Sequence, residues 1–262
     1  MGGGTGDFDH DTWQLYNLAE DFSESNDLSA KNPQKLKELQ DDFWVEAKKY
    51  DVLPLDDRFA ERGDPSLRPS LIEGRTDFVY YPGTRIPEPS AANTKNTSHT
   101  ISATIEVPQR GADGVLAAEG GTPGGFTLYI KDGKPVYEYN YVAHERYTIT
   151  SSERLAAGPA VVRVDFTYDG GGIGKGGTAT LFVNDKKMGE GRIERTSPSR
   201  FGAESFDVGM DNGSPVSEGY QPPFAYTGTI KKLQVHIAPS DLSASDQEKV
   251  RNAKRKAAMA IE

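Results

Sequence analysis

From residue 99 onward, apolar side chains recur at every second position. His99, Ile101, Ala103, Ile105 and Val107 share one face, and Phe126, Leu128 and Ile130 share another. Val162, Val164, Phe166 and Tyr168 alternate with Arg163, Asp165 and Thr167, and Leu233, Val235 and Ile237 close the series. A period of two marks half-buried strands. Turn residues separate them: Lys131-Asp132-Gly133-Lys134 leads into Val136-Tyr137-Glu138-Tyr139, and Asn184-Asp185 follows the strand Thr178-Ala179-Thr180-Leu181-Phe182-Val183. Many short antiparallel strands at this spacing predict a mostly β, two-sheet sandwich of jelly-roll type over residues 66–240.

The pattern differs at both ends. Residues 13–18 alternate, with Trp13 and Leu15 on one face, and predict a short strand. Asn32 is placed to cap a helix with Pro33 at its first position. Leu36, Leu39, Phe43, Ala47 and Tyr50 then recur at helical spacing. A strand and a helix cannot close a core alone, so residues 8–57 read as a segment lacking its partner. Ser240 or Ser245 is expected to start a helix over residues 241–262, with Leu242, Val250, Ala257 and Ile261 on one side. The start, residues 1–6, is expected to be a flexible scar of truncation.

Charge sharpens this division. Residues 1–57 hold 14 Asp and Glu against 5 Lys, which accounts for the net charge of −9, while residues 58–262 hold 25 of each sign. A boundary near Asp57 follows. An acidic segment beside a neutral one argues against nucleic acid or an anionic membrane as partner. The chain has no cysteine and hence no thiol nucleophile. No basic region leads into an apolar stretch at the N-terminus, so no signal peptide is expected. The compartment stays open, the missing leader favouring the cytoplasm.

The densest motif is "YDGGGIGKGGTATLF", residues 168–182, with six glycines and Lys175 between residues 170 and 177. A phosphate-binding loop needs Ser or Thr after its lysine and a helix after that. Here Gly176 follows, and then a β-branched, aromatic strand, so the run is expected to join two strands of a long hairpin.

Residues 13–57, "WQLYNLAEDFSESNDLSAKNPQKLKELQDDFWVEAKKYDVLPLDD", resemble the C-terminal end of bacterial arylsulfatases of the type I sulfatase family. The carrying motifs are W-x-L-Y-N-L-x-x-D and E-x-x-D-L followed by a helix. "ERYTITSSE" and "FDVGMDNGSPV" resemble the lectin-like or laminin-G-like (concanavalin A-like) sandwich appended to long members. The resemblance implies a parent sulfuric ester hydrolase that uses a formylglycine and calcium in an upstream catalytic domain, the missing partner of this chain. None of those groups maps onto a position here. Thr196-Ser197-Pro198-Ser199-Arg200 imitates the formylglycine motif, but threonine cannot yield the aldehyde. The chain is therefore expected to be inactive alone and to hold no cofactor, and no residue is assigned a catalytic, cofactor-binding or metal-ligating role. The sandwich is expected to be a structural or docking module; the alternative is a lectin-like module for a carbohydrate or sulfate ester.

Weaker candidates remain. Asp207, Asp211, Asn212, Ser214 and Glu218 offer oxygen ligands for Ca²⁺, although a plain acidic turn is the expectation because the loop lacks EF-hand spacing. His99 reads as a core or edge residue and His144 as a possible groove residue. Tyr137, Tyr139 and Tyr141 could stack on sugar rings but are expected to cover a sheet face.

Overall fold

The computed structural model of the protein describes residues 8, 11–55 and 70–259. It divides into two compact units, Met1–Leu67 and Arg68–Glu262. The expectations for residues 1–6, for a boundary between 57 and 66, and for a helix reaching Ile261 lie outside the described residues.

In the first unit, α1 runs Pro33–Lys49, with Pro at its start and Lys48 and Lys49 in the last turn, where cations meet the negative end of the helix dipole. Asn32 makes no side-chain cap; its backbone is used instead, the carbonyl accepting from Leu36 N–H (3.0 Å) and the N–H donating to Leu28 O (2.9 Å). The expected strand at residues 13–18 is absent. Leu15 exchanges bonds with one loop instead: its carbonyl accepts from Leu28 N–H (2.7 Å) and its N–H donates to Asp27 (3.0 Å). One such contact is not a ladder, and among the described residues no second strand lies beside it to make one. The aspartates of the quoted motifs serve this loop. Asp21 accepts from Ser25 and Asn26 N–H, and Asp27 from Leu15 and Ser29 N–H, bonds that hold both carboxyls below their usual range.

Among the described residues, the second unit has twelve strands in two six-stranded sheets. They are β1 (Asp77–Tyr80), β2 (Arg85–Pro87), β3 (His99–Val107), β4 (Gly114–Gly121), β5 (Gly124–Lys131) and β6 (Lys134–Tyr141), then β7 (Glu145–Thr150), β8 (Gly158–Tyr168), β9 (Lys175–Val183), β10 (Lys186–Arg195), β11 (Ser205–Val208) and β12 (Thr229–Ile237). Sheet A has the order β1-β12-β3-β8-β9-β10 and sheet B the order β2-β11-β4-β5-β6-β7, with antiparallel pairing throughout. This is the expected mostly β, jelly-roll-like sandwich. Ile101, Ile105, Val164 and Leu181 of sheet A meet Leu116, Phe126, Leu128 and Tyr137 of sheet B in one core.

The two sheets differ on their outer sides. β3 alternates strictly between buried and half-buried positions, whereas β4 is buried at every position and β5 at all but its last. The segment 211–224 lies over sheet B: Val216, Tyr220 and Phe224 pack on Val115, Tyr129 and Val136. α2 (Ala244–Met259) follows the sandwich, and Ser243, not Ser240 or Ser245, caps it by accepting from Asp246 N–H (3.1 Å).

Candidate functional site

The Gly-rich run makes a corner, as expected, but a shorter one. Lys175, Gly176 and Gly177 already belong to β9, paired with β10. A side chain at Gly177 would meet the Phe166 ring at 2.4 Å, so that glycine serves close packing. The loop itself, with positive φ at Gly170, Gly171, Gly172 and Gly174, is clamped from outside. Gly174 N–H donates to Asn96 Oδ1 (2.8 Å), and the Asn96 amide donates to Pro198 O (2.6 Å). Tyr168 Oη donates to Gly172 O and accepts from Lys175 N–H. Thr196 belongs to the same knot: it is buried, and its hydroxyl donates to Lys175 O (2.7 Å).

The possible calcium ligands are not brought together. Asp211 is buried and accepts from Tyr220 Oη (2.5 Å); burial pushes its carboxyl up. Asp207 serves Ser205 and Asn212, Ser214 bonds Glu204, and Glu218 pairs with Arg146 at the surface. Among the described residues no three His, Cys, Asp or Glu could hold a metal ion. Tyr137 and Tyr139 point into the core, where Tyr139 Oη accepts from Ser197 N–H (2.7 Å), and are closed to a sugar. His144 sits exposed in the β6–β7 turn.

The sequence reading missed a buried charged cluster. Lys95 Nζ lies 2.8 Å from Glu88 and 3.3 Å from Glu119, all three side chains nearly sealed from water. The ammonium also sits 4.0 Å above the Phe201 ring, and Phe201 N–H donates to both Glu88 oxygens. The cluster ties the crossing 88–98 and the crossing 196–204 to β4, closing one end of the sandwich. Glu119 Oε2 has no partner, and burial pushes this carboxyl up to about 7. Nearby, His99 Nδ1 contacts Thr97 O (3.1 Å), while Nε2 has no partner and burial lowers the imidazole to about 4.

The outer face of sheet A is open to solvent. Register lines its side chains into rows across all six strands. One row reads Asp77, His236, Thr100, Asp165, Thr180, Glu190; the next reads Val79, Gln234, Ser102, Arg163, Phe182, Lys187. Every residue of both rows is half-buried or exposed, while Phe78, Val235, Ile101, Val164 and Leu181 between them are buried. In the first row each carboxylate is clasped by a neighbour: His236 Nδ1 to Asp77 (2.8 Å), Thr100 Oγ1 to Asp165 (2.9 Å) and Thr180 Oγ1 to Glu190 (3.0 Å). In the second, the Arg163 guanidinium lies 4.5 Å above the Phe182 ring and pairs with Asp185 and Asp165. Lys187 pairs with Glu190 at 2.8 Å, and this lysine, then Thr180, holds the Glu190 carboxyl low.

No family model matches the chain, and no curated protein matches it. Among solved structures it is similar to the CBM40 module of the Ruminococcus gnavus IT-sialidase bound to α2,3-sialyllactose, with 16% identity and a TM-score of 0.42 over 69% of this chain and 97% of that one. It is also similar to domains LG4-5 of mouse laminin α1, with 16% identity and a TM-score of 0.40 over 64% and 44% of the two chains. Sheep galectin-11 is a third, with 9% identity and a TM-score of 0.33 over 62% and 98%. At these values the likeness carries no functional argument.

Proposed function

We propose that the sandwich is a carbohydrate-binding module whose ligand lies on the outer face of sheet A. The observation that carries this reading is the pair of rows across that face, the first wholly polar and the second polar apart from Val79 and Phe182. They offer carboxylate acceptors, hydroxyls that both donate and accept, and guanidinium donors, all held by their neighbours before a ligand arrives. Pre-organised groups lose little freedom on binding. Sheet B offers no equivalent, because the segment 211–224 occupies its outer side. A protein partner fits the face poorly, since interface centres are depleted of charge. Electrophoresis of the full chain through gels containing soluble neutral or sulfated polysaccharides tests the reading. At least one polymer should retard the protein, and Arg163→Ala with Asp165→Ala should abolish that retardation. Free migration through all of them would remove this function.

A second reading keeps the chain as a docking part of a sulfuric ester hydrolase. It is supported by the α1 stripe, where Leu39 and Phe43 remain exposed and only Ala47 is buried, as in a segment whose partner is missing. On this reading the chain alone turns over no aryl sulfate, with or without Ca²⁺. The Thr196 hydroxyl, already donated to Lys175 O inside the Gly-loop knot, then contributes nothing, and Thr196→Ala leaves any trace rate unchanged.

A further inference from the structure

We infer that the ligand of the sheet A face is an extended, uncharged glycan chain lying across the strands, read by contacts that repeat about every two sugar residues. This rests on the carbohydrate reading above and adds the class of glycan and its direction.

Three features of the face lead there. The first is spacing. Each clasped carboxylate of the first row spans two adjacent strands: Asp77 with His236 on β1 and β12, Thr100 with Asp165 on β3 and β8, and Thr180 with Glu190 on β9 and β10. Strands lie about 4.8 Å apart, so a hydrogen-bonded carboxylate pair recurs every two strands, ~9.6 Å, roughly the length of two sugar rings in an extended chain; two of the pairs are Thr–carboxylate and the one at the β1 edge is His–Asp. A periodic surface is matched by a periodic ligand, and one sugar could use only one of the three units.

The second feature is charge. The charged groups of the two rows are paired with neighbours, yet carboxylates outnumber cations: Asp165 shares Arg163 with Asp185, Glu190 pairs with Lys187, and Asp77 has only the imidazole of His236. The first row is otherwise built of acceptors. Hydroxyl groups can donate to the carboxylate oxygens the clasps leave over, whereas a sulfate or carboxylate on the ligand would bring negative charge against three carboxylates, a repulsion that costs binding. The same pairing disfavours a sulfated ligand.

The third feature is shape. The alternate core row and the outward row run the full width of six strands, roughly 24 Å at the usual spacing. Two small cavities lie elsewhere, one beside His99, Tyr137 and Tyr139 between the sheets and one beside Tyr168, Gly170 and Leu242. Neither cavity is lined by a residue of the two rows, which run open from edge to edge of the sheet, so the internal stretch of a polymer is the better match.

Titration calorimetry with the full chain tests this, using neutral β-linked gluco-, manno- and xylo-oligosaccharides of two, four and six units, with dextran sulfate as the anionic probe. For the sugar that binds, Kd should fall at least tenfold from two to six units and change less than twofold between 50 and 500 mM NaCl. Asp165→Ala, at the middle unit, should weaken the six-unit ligand about tenfold, the effect of losing a hydrogen bond to a charged group. Thermal melting reports whether that variant is folded, and Thr180→Val, which removes one clasp without adding charge, provides a second, milder variant expected to weaken it about threefold. Equal affinity for two and six units would overturn the extended-chain assignment. Binding to dextran sulfate that disappears with salt would overturn the uncharged class while leaving a carbohydrate function in place. Failure of every neutral and sulfated probe would instead remove the carbohydrate reading itself.

Discussion

His99 and Glu119 are single residues whose burial acts in opposite directions on proton binding. Glu119 keeps its proton in the folded chain up to about 7, against 4.5 for an exposed carboxyl; His99 stays neutral down to about 4, against 6.5. Between pH 4.5 and 6.5 the folded chain therefore holds one proton on Glu119, and the unfolded chain holds one on His99. Equal proton counts give no slope of stability with pH, so the pair masks itself. Removing either member exposes the other. With Glu119→Gln, only the unfolded state binds a proton in this window, and stability relative to wild type should rise with pH by about 1.4 kcal/mol per unit. With His99→Gln, only the folded state does, and relative stability should fall by about the same slope until pH passes about 7. Urea denaturation at half-unit steps measures both. Parallel slopes in the two variants would mean that these side chains do not hold protons as their burial dictates.

At the scale of elements, the Gly-rich hairpin separates what a motif suggests from what its residues do. Lys175 is the eye-catching residue, yet its side chain is exposed, whereas Asn96, 78 residues before Gly174 and unremarkable in sequence, bonds both Gly174 and Pro198. Asn96→Ala should cost about 2–3 kcal/mol by leaving a part-buried amide and carbonyl without partners, while Lys175→Ala should stay within about 0.5 kcal/mol. Thermal melts of the two variants decide this; the reverse order would restore the lysine as the important residue. The same contrast explains which elements could be read from the sequence. β3, β5, β6, β8, β9 and β12 were legible because each carries period-two alternation. β4 was not: Val115-Leu116-Ala117-Ala118 is buried on both faces beneath the segment 211–224, which erases the alternation. β2 and β11 are too short to show a period. The sheet A face was illegible for a different reason. Its rows join residues from 77 to 236 and exist only once β12 is known to lie between β1 and β3. The Glu88–Lys95–Glu119 cluster likewise depends on two chain crossings meeting β4, which no local spacing announces.

At the scale of the whole molecule, the two units differ in how much core each owns. The sandwich buries a continuous set of aromatic and aliphatic side chains from both sheets, and its charged end-closure lies within the same unit. In the first unit α1 buries only Ala47, the contact of Trp13 with Phe43 at 5.2 Å is an edge-to-face pair on a partly exposed ring, and Phe22 stands almost fully in water. A domain with its own core unfolds as one cooperative step, and a lone helix with an uncovered stripe does not. Residues 70–259 expressed alone should therefore melt in a single sharp transition, with a midpoint within about 5 °C of the full chain, a shift that corresponds to roughly 1–2 kcal/mol for a domain of this size. Residues 8–57 alone should give a helical signal that fades gradually on heating, with no heat-absorption peak. Differential scanning calorimetry of the three chains provides the comparison. A midpoint more than about 10 °C lower for residues 70–259, well beyond that range, or a sharp transition in residues 8–57, would show that the acidic segment contributes core that its own burial does not reveal.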